Sequence, residues 1–430
     1  METLQPEKVA SLLSVSAAVM PTQRTEWAER DVEDFLSLPF IAEFVFRSVR
    51  TDVNRKQEEV ADFLILHRGA CLLVEQKCQE DPSRRTPEKV ELWARKKAKQ
   101  GWKQVHRAFT RPRRFPVWCD HPRLGRHVEF PSGLPPIQHG IVTVEVFQPV
   151  DLQPDAERLP LDHAGVPITY FSVNDFLNLA VELRSVPELM DYLAARRSLP
   201  PADLRLIGDE RTLFSFYVLN GGSFMGCAGH SDARIALATQ QDRLQAALQR
   251  KFEADQYAYL LEHVADELAS RNPKFAEGMP PELLGAYDPA DKRRNYLEMQ
   301  AALADLRLRE RAELGRGFYG AIEQVAHKGQ GFTFRAARFD SMPEWVYVLG
   351  ASKNVERAEL LSRMMVLMGG AMAFYDKPKC LVIVDRDHRG YEVALSRPDA
   401  RPTQAHVDAG KRLFGGLRIT STPLHFLPEN

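Results

Sequence analysis

The spacing of apolar and polar positions changes character several times along the chain. Residues 31–46 set Val32, Phe35, Leu36, Phe40, Ile41, Phe44 and Val45 at roughly helical intervals, and Pro39 predicts a break or a second helical start among them. Residues 61–66 and 70–74 are short apolar runs joined by His67-Arg68-Gly69, the pattern of a β-hairpin. Residues 87–108 return to a helical period. Val90, Trp93, Ala94, Ala98, Gly101, Trp102, Val105 and Ala108 trace its less polar side, Lys97 shares that stripe, and Pro87 suits a first turn. Pro112, Pro116 and Pro122 predict a turn-rich crossing. Residues 141–147 and 168–173 read as strands, and 174–199 as one or two helices with Asn174 as cap and Pro187 as break.

Beyond residue 200 the pattern is mainly helical. Residues 240–270 form one long helical run, 273–289 a loop, and 296–325 a second run interrupted near Gly315-Arg316-Gly317. A strand–helix rhythm then resumes, with strands at 344–349, 380–384 and 390–394 and a helix at 354–368. The expected organisation is an α/β domain with a mixed sheet over residues 1–200, a mainly helical domain over 201–340 and a C-terminal α/β module over 341–430.

Composition narrows the function classes. The 430 residues are 44% hydrophobic and 27% charged, ordinary for a globular chain, and the net charge of -1 supplies no global basic field. A nucleic-acid surface must therefore be local. Residues 84–126 offer one, rich in Arg and Lys with Trp93, Trp102, Phe109, Phe115 and Trp118 interleaved. The five cysteines form no C-x-x-C pair, which argues against a zinc site and a disulfide framework. No secretory signal opens the chain and no apolar run reaches the ~18 residues of a membrane span, so a cytoplasmic location away from membranes is expected. Gly221 and Gly226 have phosphate-loop spacing, but Cys227 stands where that loop needs lysine, and neither a G-x-S-x-G elbow nor an H-E-x-x-H helix occurs.

The most informative chemistry lies on the hairpin. Glu75 and Lys77 stand two apart on its second strand, so they share a face, and Asp62 on the first strand can meet them there. Two carboxylates and an ammonium on an apolar sheet suit a hard divalent cation, Mg²⁺ or Mn²⁺, and a phosphodiester. Asp62 and Glu75 supply carboxylate oxygens, the carbonyl of Gln76 is a further candidate ligand, and Lys77 can steady a water or offset charge growing on phosphorus.

The arrangement Asp62, twelve residues, then Glu75-Gln76-Lys77 resembles the PD-(D/E)xK nuclease superfamily over about residues 30–175. That resemblance implies a restriction-endonuclease-like fold, metal held by the acidic pair, hydrolysis assisted by the lysine, and DNA as the favoured substrate in bacterial defence or DNA processing. It also implies a glutamate on the preceding helix, matched by Glu43, and a glutamine on the following helix, matched by Gln104 or Gln100. Ala61 replaces the proline of the pattern, and no tyrosine lies four residues after either glutamine. The alternative is a catalytically inactive relative that binds nucleic acid or serves as a scaffold; a protein–protein module is a third reading. A protein partner, or a second copy of the chain, is expected at the C-terminal region.

Overall fold

The computed structural model describes residues 39–53, 56–78, 86–110, 116–121, 126–130, 134–146, 159–163, 165–200, 203–204, 209–224, 237–271, 289–328, 331–387, 389–397 and 400–416. After a single helical turn α1 (Pro39–Ala42), strands β1 (Val45–Val53), β2 (Lys56–His67) and β3 (Ala70–Lys77) follow, each antiparallel to the one before. Helix α2 (Pro87–Thr110) follows, then β4 (Val117–His121), β5 (Arg126–Phe130), β6 (His139–Val144), β7 (Asp162–His163) and β8 (Val166–Ser172). Seven of these strands make a mixed sheet in the order β5-β4-β1-β2-β3-β6-β8, and the two-residue β7 pairs at the outer edge of β8. The β3–β6 and β6–β8 pairs are parallel.

Period-two alternation sorts β3 between two layers. Cys71 and Leu73 pack with Ala108 of α2, while Leu72 and Val74 enter the larger core on the opposite face. On the α2 side, Ala94, Ala98 and Val105 lie against Val142 and Val144 of β6. Gly101 makes this approach possible: a Cβ built there falls 2.5 Å from Val142 Cγ1.

The other face of the sheet is covered by helices α3 (Val173–Leu183), α4 (Val186–Arg197), α5 (Glu210–Leu219), α6 (Gln241–Arg271), α7 (Pro289–Ala304) and α8 (Leu308–Lys328). A second mixed sheet follows. Strands β9 (Phe332–Ala337), β10 (Trp345–Ser352), β11 (Lys379–Arg386) and β12 (Tyr391–Leu395) lie in the order β12-β11-β10-β9, with helices α9 (Arg357–Tyr375) and α10 (Gln404–Phe414). The α/β class, the helical middle and the C-terminal α/β region agree with the sequence reading. The proposed segments, however, share one apolar core, in which Leu72 and Val74 of β3, Leu261 of α6 and Tyr347 and Leu381 of the second sheet belong to a single cluster. The second sheet also starts earlier than residue 341, because β9 pairs with β10 along six residues.

Several local expectations change. Residues 45–46 begin a strand rather than extending a helix, since Val45 and Phe46 pair with Ile65 and Leu64 of β2. Pro116 precedes β4 and does not break it, so the proline-rich crossing contains a hairpin. Ser172, not Asn174, caps α3, accepting from the Asp175 amide at 3.0 Å. Ser185 caps α4, and Pro187 occupies its first turn, where a missing N–H costs nothing. The glycines at 315 and 317 do not interrupt α8. Gly315 lets α8 lie against the main chain of α6, where a Cβ would collide with the Tyr257 carbonyl. The actual break falls at Asp305–Arg307, between α7 and α8.

Ion pairs tie the helices to the first sheet and to one another. Asp305 accepts from His67 Nε2 at 2.6 Å and from Arg68 Nε, and Arg68 reaches Glu298 at 3.1 Å, so the hairpin tip is held to α7. Arg311 of α8, fully buried, bonds Glu188 of α4 at 2.6 Å and lies over the Phe40 ring at 5.1 Å. Breaking such a pair strands a charge in the core, costing about 3–5 kcal/mol. Among the described residues no helix is long and apolar enough to cross a membrane.

Gly315→Ala should lower stability by roughly 1–3 kcal/mol through overpacking of the α6–α8 crossing. Urea unfolding of the two chains measures this; equal midpoints would mean that the helices separate freely.

Candidate active site

The β2–β3 hairpin is regular only up to Phe63 and Val74. Past that pair β2 stays with β1, while β3 continues beside β6 through Lys77. A notch opens between the two strands. There a side chain replaces the main chain as acceptor: Asp62 Oδ2 takes the Gln76 N–H at 2.6 Å.

Lys77 turns back into this notch. Its Nζ donates to Glu75 Oε2 at 3.0 Å and to the Gln76 carbonyl at 2.7 Å, and stands 3.6 Å from Asp62 Oδ2. Two carboxylates and one main-chain carbonyl therefore converge on a single ammonium. These are the three groups the sequence reading assigned to a cation. Asp62, Glu75, Gln76 and Lys77 are brought together, with the Gln76 side chain on the opposite face of the sheet from Glu75.

Burial sets the electrostatics. Glu75 is 1% exposed. Desolvation, with the Asp62 charge added, pushes its carboxyl from an ordinary 4.5 up to about 8, against the opposing pull of Lys77. Burial also disfavours the Lys77 ammonium, but Glu75 and Asp62 together outweigh it and hold the Lys77 pKa above its ordinary value. Glu59, on the exposed part of β2, adds a smaller like-charge push on Glu75.

Glu43 does not join the group. It lies buried in the turn between α1 and β1. The Val45–Ile65 register and the Leu66 N–H to Phe44 carbonyl bond at 2.7 Å put that turn beside His67. Five residues of extended strand, ~16 Å, separate that level from Asp62. The resemblance put Glu43 on a helix, but α1 ends at Ala42 and Glu43 lies in the turn that leads into β1. Gln100 is exposed on the outer side of α2. Gln104 lies on the flank of α2 between the inner and outer faces, and its Oε1 is buried with no hydrogen-bond partner among the described residues. It makes no bond to Lys77.

No protein-family model, curated protein or solved structure matches this chain. The chemistry must be judged on the side chains themselves. Their donor set fits a hard divalent ion: carboxylate and carbonyl oxygen only, around a point now taken by a monovalent cation. Asp62, Glu75 and the Gln76 carbonyl are the groups that would hold such an ion. Among the described residues no grouping of three or more His, Cys, Asp or Glu forms a metal cluster.

Glu75 also makes stability depend on pH. Between about 4.5 and about 8 the folded chain keeps a proton that the unfolded chain has released. The stability this confers is complete below the lower value and is lost as pH rises through the upper one. In EDTA, Glu75→Gln should gain on the native chain as pH rises across that range, by up to roughly 1.4 kcal/mol for each pH unit. Chemical denaturation of both chains at several pH values tests this; a difference that does not change with pH would contradict the buried, proton-holding carboxyl.

Proposed function

We propose that this chain is a Mg²⁺- or Mn²⁺-dependent phosphodiester hydrolase with a restriction-endonuclease-like core, acting on DNA in preference to RNA. The observation that carries the reading is the convergence of Asp62, Glu75 and the Gln76 carbonyl on one point in the notch between β2 and β3. Every group around that point offers oxygen, the donor that a hard divalent ion takes. Here two acids and a carbonyl surround a single base at the end of a buried strand, which supports a site built for a greater positive charge.

In this reading Asp62 and Glu75 hold the ion, and the carbonyl of Gln76 completes the protein's share of its shell. The ion would lower the pKa of a bound water and polarise a phosphoryl oxygen. Glu75 must then be ionised, so its proton leaves as the second charge arrives. Lys77 must swing away from the oxygens it now bonds. From the rim of the notch its ammonium can donate to a non-bridging phosphoryl oxygen as charge grows there. The Gln76 N–H keeps Asp62 oriented while this happens. Gln104, with its buried carbonyl oxygen, is a candidate to orient Lys77 after the swing; Glu43 has no part in this scheme.

A second reading has one observation in its favour. Lys77 already neutralises the carboxylates, as it would in an inactive scaffold that retains the fold and binds nucleic acid. Two measurements separate the readings. Plasmid, linear DNA and RNA should be cut with Mg²⁺ or Mn²⁺ and left intact in EDTA, and Lys77→Ala or Asp62→Asn should slow cleavage by roughly 10²–10⁴-fold. Lys77→Met, freed of the competing ammonium, should bind Mn²⁺ roughly tenfold more tightly than the native chain while failing to cleave. Cleavage that persists in chelator or in Lys77→Ala rules the mechanism out; nucleic-acid binding with no cleavage in any metal leaves the scaffold.

A further inference from the structure

Helix α2 differs in charge from the other long helices. Its two acidic residues, Glu88 and Glu91, lie in the first turns, and residues 92–110 contain six basic side chains and no acid. Helix α8 interleaves both signs along its length, and the C-terminal half of α6 is acidic rather than basic. A solvated helix face ordinarily mixes charges, because like charges one turn apart repel.

The structure sorts these side chains by face. Ala94, Ala98, Gly101, Val105 and Ala108 are buried against the sheet. Lys89, Lys96, Lys99, Lys103 and Arg107 are exposed and follow one another at intervals of three, four or seven residues, a single stripe. The stripe spans ~27 Å of helix. Arg95 is paired with Glu91 at 2.8 Å, and Lys97 is drawn over the Trp93 ring at 5.9 Å. Lys89, Lys96, Lys99 and Lys103 have no acidic partner among the described residues. This uncompensated row stands on a chain whose net charge is -1.

We infer that the outer face of α2, through Lys89, Lys96, Lys99 and Lys103, is a track for the sugar-phosphate backbone of nucleic acid. The inference rests on the hydrolase reading for its partner, and the packing places the track usefully. The inner face of α2 meets Val142, and Val142 is the register partner of Glu75. The row therefore lies about one helix diameter, ~10 Å, from the level of the notch. An anionic membrane would also attract the row, but a helix that lies on lipid buries its apolar face there. The apolar face of α2 is occupied by the sheet, and among the described side chains of this helix Leu92 is the only large apolar one exposed.

The test uses the full chain, carrying Asp62→Asn so that substrate is not cut. Binding to fluorescent duplex and single-stranded DNA is followed by anisotropy from low to high salt, in parallel with sedimentation on phosphatidylserine vesicles. Lys96→Gln, Lys99→Gln and Lys103→Gln together should weaken DNA binding roughly tenfold or more and lower the slope of log K against log salt by about 2–3, whatever the DNA sequence. With Asp62 intact, the same triple substitution should leave Mn²⁺ affinity and thermal stability as in the native chain. An unchanged salt slope overturns the track while leaving the hydrolase reading intact. Loss of vesicle binding by a chain that never bound DNA assigns the face to membranes and overturns it too. Neither binding nor cleavage of nucleic acid by the native chain removes both proposals together.

Discussion

The structure is organised around a strand that is buried on both faces and ends in charge. Six consecutive residues of β3, from Cys71 to Gln76, are buried, with β2 on one side, β6 on the other, α2 over one face and the helical middle over the other. A carboxylate in that position meets a large desolvation penalty unless charge and hydrogen bonds offset it. Glu75 relies on Lys77, Lys77 relies on Glu75, Asp62 and the Gln76 carbonyl, and Asp62 is steadied by the Gln76 N–H. Removing any member leaves another group buried without its complement. The same mutual dependence that stabilises the notch also tunes it, because the proton on Glu75 and the ammonium on Lys77 are the charges that a divalent ion would replace.

That strand is held rigid from outside the first sheet. His67 and Arg68 at the closed end of the hairpin are bound by Glu298 of α7 and by Asp305 just beyond its end, and α8 is bound to α4 through Arg311 and Glu188. Tyr347 of the second sheet donates to the Ala302 carbonyl of α7 at 2.9 Å. The route from the notch to the second sheet is thus continuous protein, with α7 as the shared element. The helical middle buttresses the hairpin that carries the site, which explains why one apolar core crosses boundaries that composition alone would draw.

Charge is distributed with the same economy. Where a basic group would enter the core, the fold supplies an acid: Arg196 with Glu210, Arg184 with Glu262, Lys251 with Asp255 and Glu182. Among the described residues no acid pairs with Lys89, Lys96, Lys99 or Lys103 on the outer face of α2, and these side chains remain in water, where an ammonium costs little. Pairing inside and a uniform row outside are compatible with a nearly neutral chain, because the acidic residues are spent elsewhere.

Local order was legible where a pattern had one physical cause. The apolar runs at 61–66 and 70–74, joined at His67-Arg68-Gly69, determined the hairpin, and the two-residue period of a strand placed Glu75 and Lys77 on one face. The periodic apolar stripe of α2 determined its inner face in the same way. What depended on distant partners was not legible. Val45–Val53 is a strand because β2 and β4 lie beside it, so Glu43, read as helical, sits at the wrong end of the hairpin. Gly315 looks like a helix breaker until the α6 main chain is set against it. The notch itself arises where β2 and β3 part company, and the retreat of Lys77 onto three oxygens follows from how little water reaches them. Sequence determined which charges share a face; only packing decided how close they stand, how dry they are, and which of the candidate carboxylates belong together.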